Sequence, residues 1–153
     1  MTDFARLMSD YFVKYLAGQK GSGSNTMKTY RDTFVQLLEF MDEKKHIRAD
    51  CIEVDSFSYD IINEFLEYLE KEKRVTISTR NNRLAAIRSF FKYTGYNEPK
   101  YLNISTSIRE ISKKKTEGRQ INYLSVNAME HVLNSFDKTD HKELRCFCIV
   151  LLL

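Results

Sequence analysis

Tryptophan is absent, proline occurs once, at Pro99, and glycine only five times in 153 residues. So little glycine and proline excludes collagen-like and low-complexity classes and leaves room for long uninterrupted helices. Cysteine is scarce and odd in number: Cys51, Cys146 and Cys148. Their spacing gives no disulfide framework and no signal-like segment precedes them, so a reduced, cytoplasmic chain is expected. Long apolar runs are missing too. The longest, CIVLLL, is far too short to span a bilayer, so no membrane partner is expected. Histidine is limited to His46, His131 and His141. No Ser-His-Asp order or Cys-His pairing has local support, and GSGS lacks the Lys-Ser/Thr continuation of a phosphate loop. His141 can be drawn with Cys146 and Cys148 as a metal cluster, but cysteines two apart on a helix point to different faces. These residues lead us to expect no catalytic residue, metal, cofactor or small-molecule substrate.

What the sequence does have is segregated charge. The net charge is only +3. Yet residues 73–119 hold 12 Lys/Arg against 3 Asp/Glu, while residues 1–72 hold 9 against 14. Such a local excess fits a polyanion partner, or a solvated basic face with none. The length suits one ordinary domain, or one small domain plus part of another, and allows roughly two-thirds of the unfolded surface to be buried.

Periodicity predicts an all-α protein. Phe4, Leu7, Met8, Tyr11, Phe12, Tyr15 and Leu16 form one apolar stripe of a first helix, ended by Gly18 and the loop GQKGSGS. A second helix begins at Ser24 or Asn25, either a suitable N-cap, and runs to about Lys45. A third spans about Ser58–Lys73, with an acidic outer face that includes Glu64, Glu67 and Glu70. A fourth, TISTRNNRLAAIRSFFKYTG, runs from about Ser78 to Tyr93. ISKKKTEGRQ reads as a basic linker. Helical order resumes at Val126, and Asp140 with Glu143 resembles a capping box for a last helix, LRCFCIVLLL, apolar nearly all round and so expected to be buried. The chain stops inside that helix, and a fragment that ends early in a second domain is expected.

The fourth helix poses the functional question. Ile77, Leu84, Ile87 and Phe91 lie inward with Phe90 flanking them, Ser78, Asn82, Ala86, Ser89 and Tyr93 outward, and Arg83 and Arg88 on opposite flanks. Asn and Arg read base edges, whereas Thr and Lys hold phosphates. The arginines could equally pair with the acidic face of the third helix. A helical protein-interaction module without nucleic acid is the alternative reading.

SNTMKTYRDTFVQLLEFM resembles the S-x-x-T-x-x-x-Y-x-x-x-L-x-x-F helix of tyrosine recombinases, through Ser24, Thr26, Tyr30, Leu37, Leu38 and Phe40. The fourth helix resembles that family's S-T-x-x-x-R-L-S-A-I-R-x-F-x-x-Y helix, through Ser78, Thr79, Arg83, Leu84, Ala86, Ile87, Arg88, Phe90 and Tyr93. Residues 118–153 resemble the start of the family's catalytic domain. The resemblance implies a four-helix SAM-like core-binding bundle over 1–100, a basic linker over 101–120 and one or two helices of a truncated catalytic domain over 121–153. It implies a DNA-binding half-clamp of a phage integrase or Xer-like recombinase, acting on double-stranded DNA with other protomers. Asn25, Thr26, Lys28 and Thr29 would contact DNA from the second helix and Thr79, Arg80, Asn82 and Arg83 from the fourth. Lys113, Lys114 and Lys115 would follow the backbone. The family's tyrosine nucleophile and its supporting arginines, lysine and histidines would all lie outside this chain.

Overall fold

A computed structural model describes residues 2–116 and 125–151, which form two compact units divided after Thr116. Every regular element among the described residues is helical, so the fold is all-α.

The first unit opens with α1 (Asp3–Asp10), capped by Thr2, whose Oγ1 accepts from the Ala5 N–H at 3.2 Å. The chain then continues as a π-helix over Tyr11–Gln19, a form rare beyond a single turn. Its hydrogen bonds span five residues, and Tyr11 and Leu16, five apart, are both fully buried. Gly18 lies inside this segment and does not end it. The α2 helix (Ser24–Lys45) is capped by Gly23, without a side-chain bond, in place of the Ser24 or Asn25 cap expected. Ser58 caps α3 (Tyr59–Lys71) and Thr76 caps α4 (Ile77–Asn97), each hydroxyl accepting the N–H three residues on at 3.2 Å.

The core is aromatic. Phe90 of α4 lies within 5.2–5.5 Å, centroid to centroid, of Phe4, Tyr11, Phe34 and Phe91, mostly edge to face. The α1 end is clasped to the turn after α4: Asp3 accepts from Lys100 Nζ at 2.6 Å and the Tyr101 hydroxyl at 2.9 Å, and Arg6 donates to Glu98 at 2.8 Å. The Lys100 hydrogen bond, then that of Tyr101, holds the Asp3 carboxyl below its usual range.

The linker expected over 101–120 is corrected over much of its length. Residues Leu102–Glu110 form α5, which packs on α4. Ile108 and Ile111 are buried and Ile104 half-buried, at helical spacing, in the same core. Residues 1–100 hold the four α-helices expected, and α5 adds a fifth to the unit. Residues 112–116 have no regular structure, and the rest of the expected linker, 117–120, lies outside the described residues.

The α4–α5 contact turns on Gly95. A Cβ there would sit 2.8 Å from both Cβ and Oγ of the buried Ser105. Overpacking of this kind costs about 1–3 kcal/mol, against a gain of up to about 1 kcal/mol in helix propensity. Gly95→Ala should therefore lose about 1–2 kcal/mol in urea unfolding, and Ser105→Gly in the same background should recover most of it. An unchanged midpoint for Gly95→Ala would show that the two helices do not meet this closely.

The second unit contains α6 (Val126–Asn134), capped by Ser125, and α7 (His141–Leu151). Phe136 meets Phe147 edge to face at 6.3 Å, with Lys138 Nζ 4.6 Å from the Phe147 ring centroid. The reciprocal capping box expected of Asp140 and Glu143 is not formed. Glu143 instead accepts from the Asp137 N–H at 2.6 Å, while Asp140 accepts from the Lys142 N–H. Among the described residues of α7 none is buried, and Leu144, Ile149 and Leu151 are exposed. One facing helix covers only one side of an all-round apolar helix.

Candidate nucleic-acid interface

The first halves of α2 and α4 line a shallow groove through Asn25, Thr26, Thr29, Tyr30, Asn82 and Ala85. Asn25, Thr26 and Asn82 are exposed and present free amides and a hydroxyl. The Thr29 hydroxyl is already committed, donating to the Asn25 carbonyl at 2.8 Å. Lys28 is exposed on a neighbouring side of α2 beside Arg31. Thr79 is half-buried, its hydroxyl 3.0 Å from that of the capping Thr76.

The α4 arginines behave differently from one another. Arg83 donates across to α2, to the Thr29 carbonyl at 2.9 Å and Thr33 Oγ1 at 3.2 Å. It ties the two helices together and so sets the width of the groove that Asn25 and Asn82 line. Arg80 is buried, with Nε 2.7 Å from Glu70 of α3 and a long contact to the Ser112 carbonyl. A direct contact from Arg80 to an external ligand is therefore corrected to an internal tie. Arg88 reaches the other flank and donates to the carbonyls of Arg109, at 2.7 Å, and Ile111. Among the described residues, the alternative pairing of these arginines with the acidic third helix is realised at Arg80 alone.

The segment after α5 lies along α4 as a strap. Asn81 holds the Lys114 backbone on both sides, its Nδ2 donating to the carbonyl at 2.8 Å and its Oδ1 accepting from the N–H at 3.1 Å. Lys114 Nζ donates to Glu70 at 2.7 Å. Lys113 faces the opposite side and, with Lys20, Arg88, Lys92 and Arg109, lines a second groove over the later half of α4. Lys115 is exposed. Ala85 lines both grooves, so they adjoin there.

Charges are sorted by face. Lys44, Lys45 and Lys71, at the end of α2 and on α3, pair with Glu72, Glu64 and Glu67. Lys20, Lys28, Lys92, Arg109 and Lys113 make no ion pair among the described residues. Tyr11 is fully buried, donates to Ser89 Oγ at 2.8 Å, and burial pushes its phenol pKa well above the usual value.

Residues 10–100 match the family described as phage integrase, N-terminal SAM-like domain. The chain belongs to the phage integrase family of tyrosine recombinases. It is 27% identical over 135 residues to a putative integrase/recombinase, y4rC, of Sinorhizobium fredii, covering 88% of this chain and 41% of that protein. A second protein of that organism, the putative integrase/recombinase y4rD, is 32% identical over 111 residues, 72% of this chain and 40% of the relative. Tyrosine recombinase XerC of Natranaerobius thermophilus is 28% identical over 124 residues, 81% of this chain and 39% of the relative. The chain thus spans about two-fifths of the length of these curated relatives. No solved structure gives a significant match.

In this integrase domain, sequence reasoning misses Lys20, Lys92 and Arg109. Lys20 and Arg109 lie in separate segments, and only the tertiary fold brings them together. The one available signal is Lys92, a turn along the same flank of α4 as Arg88. Among the described residues no helix is long and apolar enough to cross a membrane, and no three His, Cys, Asp or Glu side chains gather as metal ligands.

Proposed function

We propose that the first unit is a DNA-binding arm of a site-specific tyrosine recombinase, laying the outer sides of α2 and α4 against double-stranded DNA. The observation that carries this reading is the sorting of charge. Lys44, Lys45 and Lys71 are paired with Glu72, Glu64 and Glu67, whereas Lys20, Lys28, Lys92, Arg109 and Lys113 make no ion pair among the described residues and are left to meet phosphates. Asn25, Thr26 and Asn82 face the duplex, and Lys28, Lys113 and Lys115 hold its backbone. Lys114 follows the duplex at the cost of its contact with Glu70. Thr29 and Thr79 shape the surface near their helix starts, and Arg80 and Arg83 act as positioning residues. The parent protein cleaves and rejoins DNA together with other protomers, using catalytic groups outside this chain.

Fluorescence anisotropy with a labelled duplex of about three helical turns tests the reading. Binding should fall in the weak, non-specific range of about 10⁻⁴ to 10⁻⁶ M and weaken steeply as salt rises. Asn25→Asp/Asn82→Asp adds two charges facing phosphate and should weaken binding at least tenfold, roughly 1.4 kcal/mol. Asn25 is in the first turn of α2, where an acid suits the helix dipole, so unfolding is not an alternative explanation there. No binding at low salt, or equal binding by wild type and variant, would refute the proposed face.

A further inference from the structure

The second groove gathers five cations, Lys20, Arg88, Lys92, Arg109 and Lys113, and no carboxylate lines it. They come from the loop after the π-helix, from α4, from α5 and from the strap. Crowding like charge works against the folded state, so a cluster left unpaired marks a surface suited to an anion. Arg88 sits at the strain point. Its pKa is lowered, first by burial and then by the charge of Arg109. Its Nε is buried and finds no acceptor among the described residues.

The strap is fixed on both sides of Lys113. Arg88 holds the carbonyls of Arg109 and Ile111, and Asn81 holds both backbone groups of Lys114. With Lys114 turned to Glu70, Lys113 is turned to the groove. The docked strap thus adds Lys113 to the groove wall.

We propose that this groove is a preformed seat for backbone phosphates of the same duplex that α2 and α4 hold, built by docking residues 109–115 onto α4. The inference rests on the DNA-binding reading of α2 and α4. A small anion would engage one or two of these cations. Five of them, in a groove that adjoins the Asn25–Asn82 groove at Ala85, suit a polymer that repeats its charge. Ordering the strap on folding also removes an entropy cost that a free linker would meet on binding.

The test is Lys20→Ala/Lys92→Ala/Arg109→Ala. These side chains make no ion pair or hydrogen bond among the described residues; Arg109 accepts Arg88 through its backbone, which alanine keeps. The variant should melt at or slightly above the wild-type temperature, because three crowded like charges are gone. In a salt series with the duplex, its plot of log affinity against log salt should be shallower by about 2.7, roughly 0.9 for each phosphate no longer neutralised. A change smaller than about 0.9, the share of a single phosphate, while Asn25→Asp/Asn82→Asp still weakens binding, overturns the groove and leaves the DNA-binding face standing. A wild-type chain that does not bind the duplex overturns both.

Discussion

Phe90→Ala should cost about 3–5 kcal/mol of unfolding free energy, among the largest losses available to a single side chain in this chain. Phe90 has no exposed surface and touches rings from α1, the π-helix, α2 and α4 itself. Its removal would therefore leave a cavity bordered by several elements, and none can collapse into it without disturbing another. The edge-to-face pairs add stabilisation of about 0.5–1.5 kcal/mol each beyond area burial. Small domains are stable by only about 5–15 kcal/mol, so such a loss brings the first unit close to unfolding at room temperature. Urea titration followed by circular dichroism would measure it. Phe90→Leu, which keeps most of the volume, should cost under about 1.5 kcal/mol. Equal losses for the two variants would mean that ring geometry, not cavity volume, governs the site. A loss under about 1 kcal/mol for alanine would remove Phe90 from the centre of the core.

Such core positions are legible because helical periodicity reports which side faces inward; α2 and α3 follow it closely, whereas on α4 Ala86, expected outward, is fully buried and Ile77, expected inward, is exposed. The first helix follows it only to Asp10. Beyond that the spacing of Tyr11, Phe12, Tyr15 and Leu16 satisfies an α stripe on paper, while the chain adopts the π form that buries Tyr11 with Leu16. An i+4 and an i+5 reading share too many residues to be separated by pattern alone. The α5 helix is hidden for another reason. Its sequence, LNISTSIRE, is rich in Ser and Thr and has just two isoleucines four apart, and the lysines that follow draw attention to charge. Its stability comes from packing on α4, which no local propensity reports.

The candidate site is legible in the same partial way. Outward positions such as Asn25, Thr26 and Asn82 follow from the helical wheel. The fate of an arginine does not, because its long stem carries five donors to whichever acceptor the fold supplies. Arg88 finds Arg109, whose carbonyl is among the last of α5 and has no partner within that helix. Arg83 finds the α2 backbone. Neither acceptor is visible before α5 and α2 are placed against α4.

Arg80 is the sharpest case, and Arg80→Ala should lower stability by about 2–3 kcal/mol. Its side chain is 7% exposed, and that of Glu70 22%. Nε lies 2.7 Å from Oε1 without hydrogen-bond alignment, so the attraction is one of charge. Deleting one member of a fully buried pair costs about 3–5 kcal/mol, because the other charge is stranded. Glu70 keeps some water and keeps Lys114 at 2.7 Å, which lowers the figure. Removing the stranded charge as well, in Arg80→Ala/Glu70→Leu, should restore part of the loss, a coupling that a double-mutant cycle reads directly. Duplex binding separates an internal tie from a surface contact. Replacing a positioning residue leaves the salt slope of the folded variant close to that of wild type, whereas replacing a residue that touches phosphate makes the slope shallower by about 0.9. A slope shallower by that full amount, with stability unchanged, would put Arg80 back on the binding face and make its pairing with Glu70 incidental.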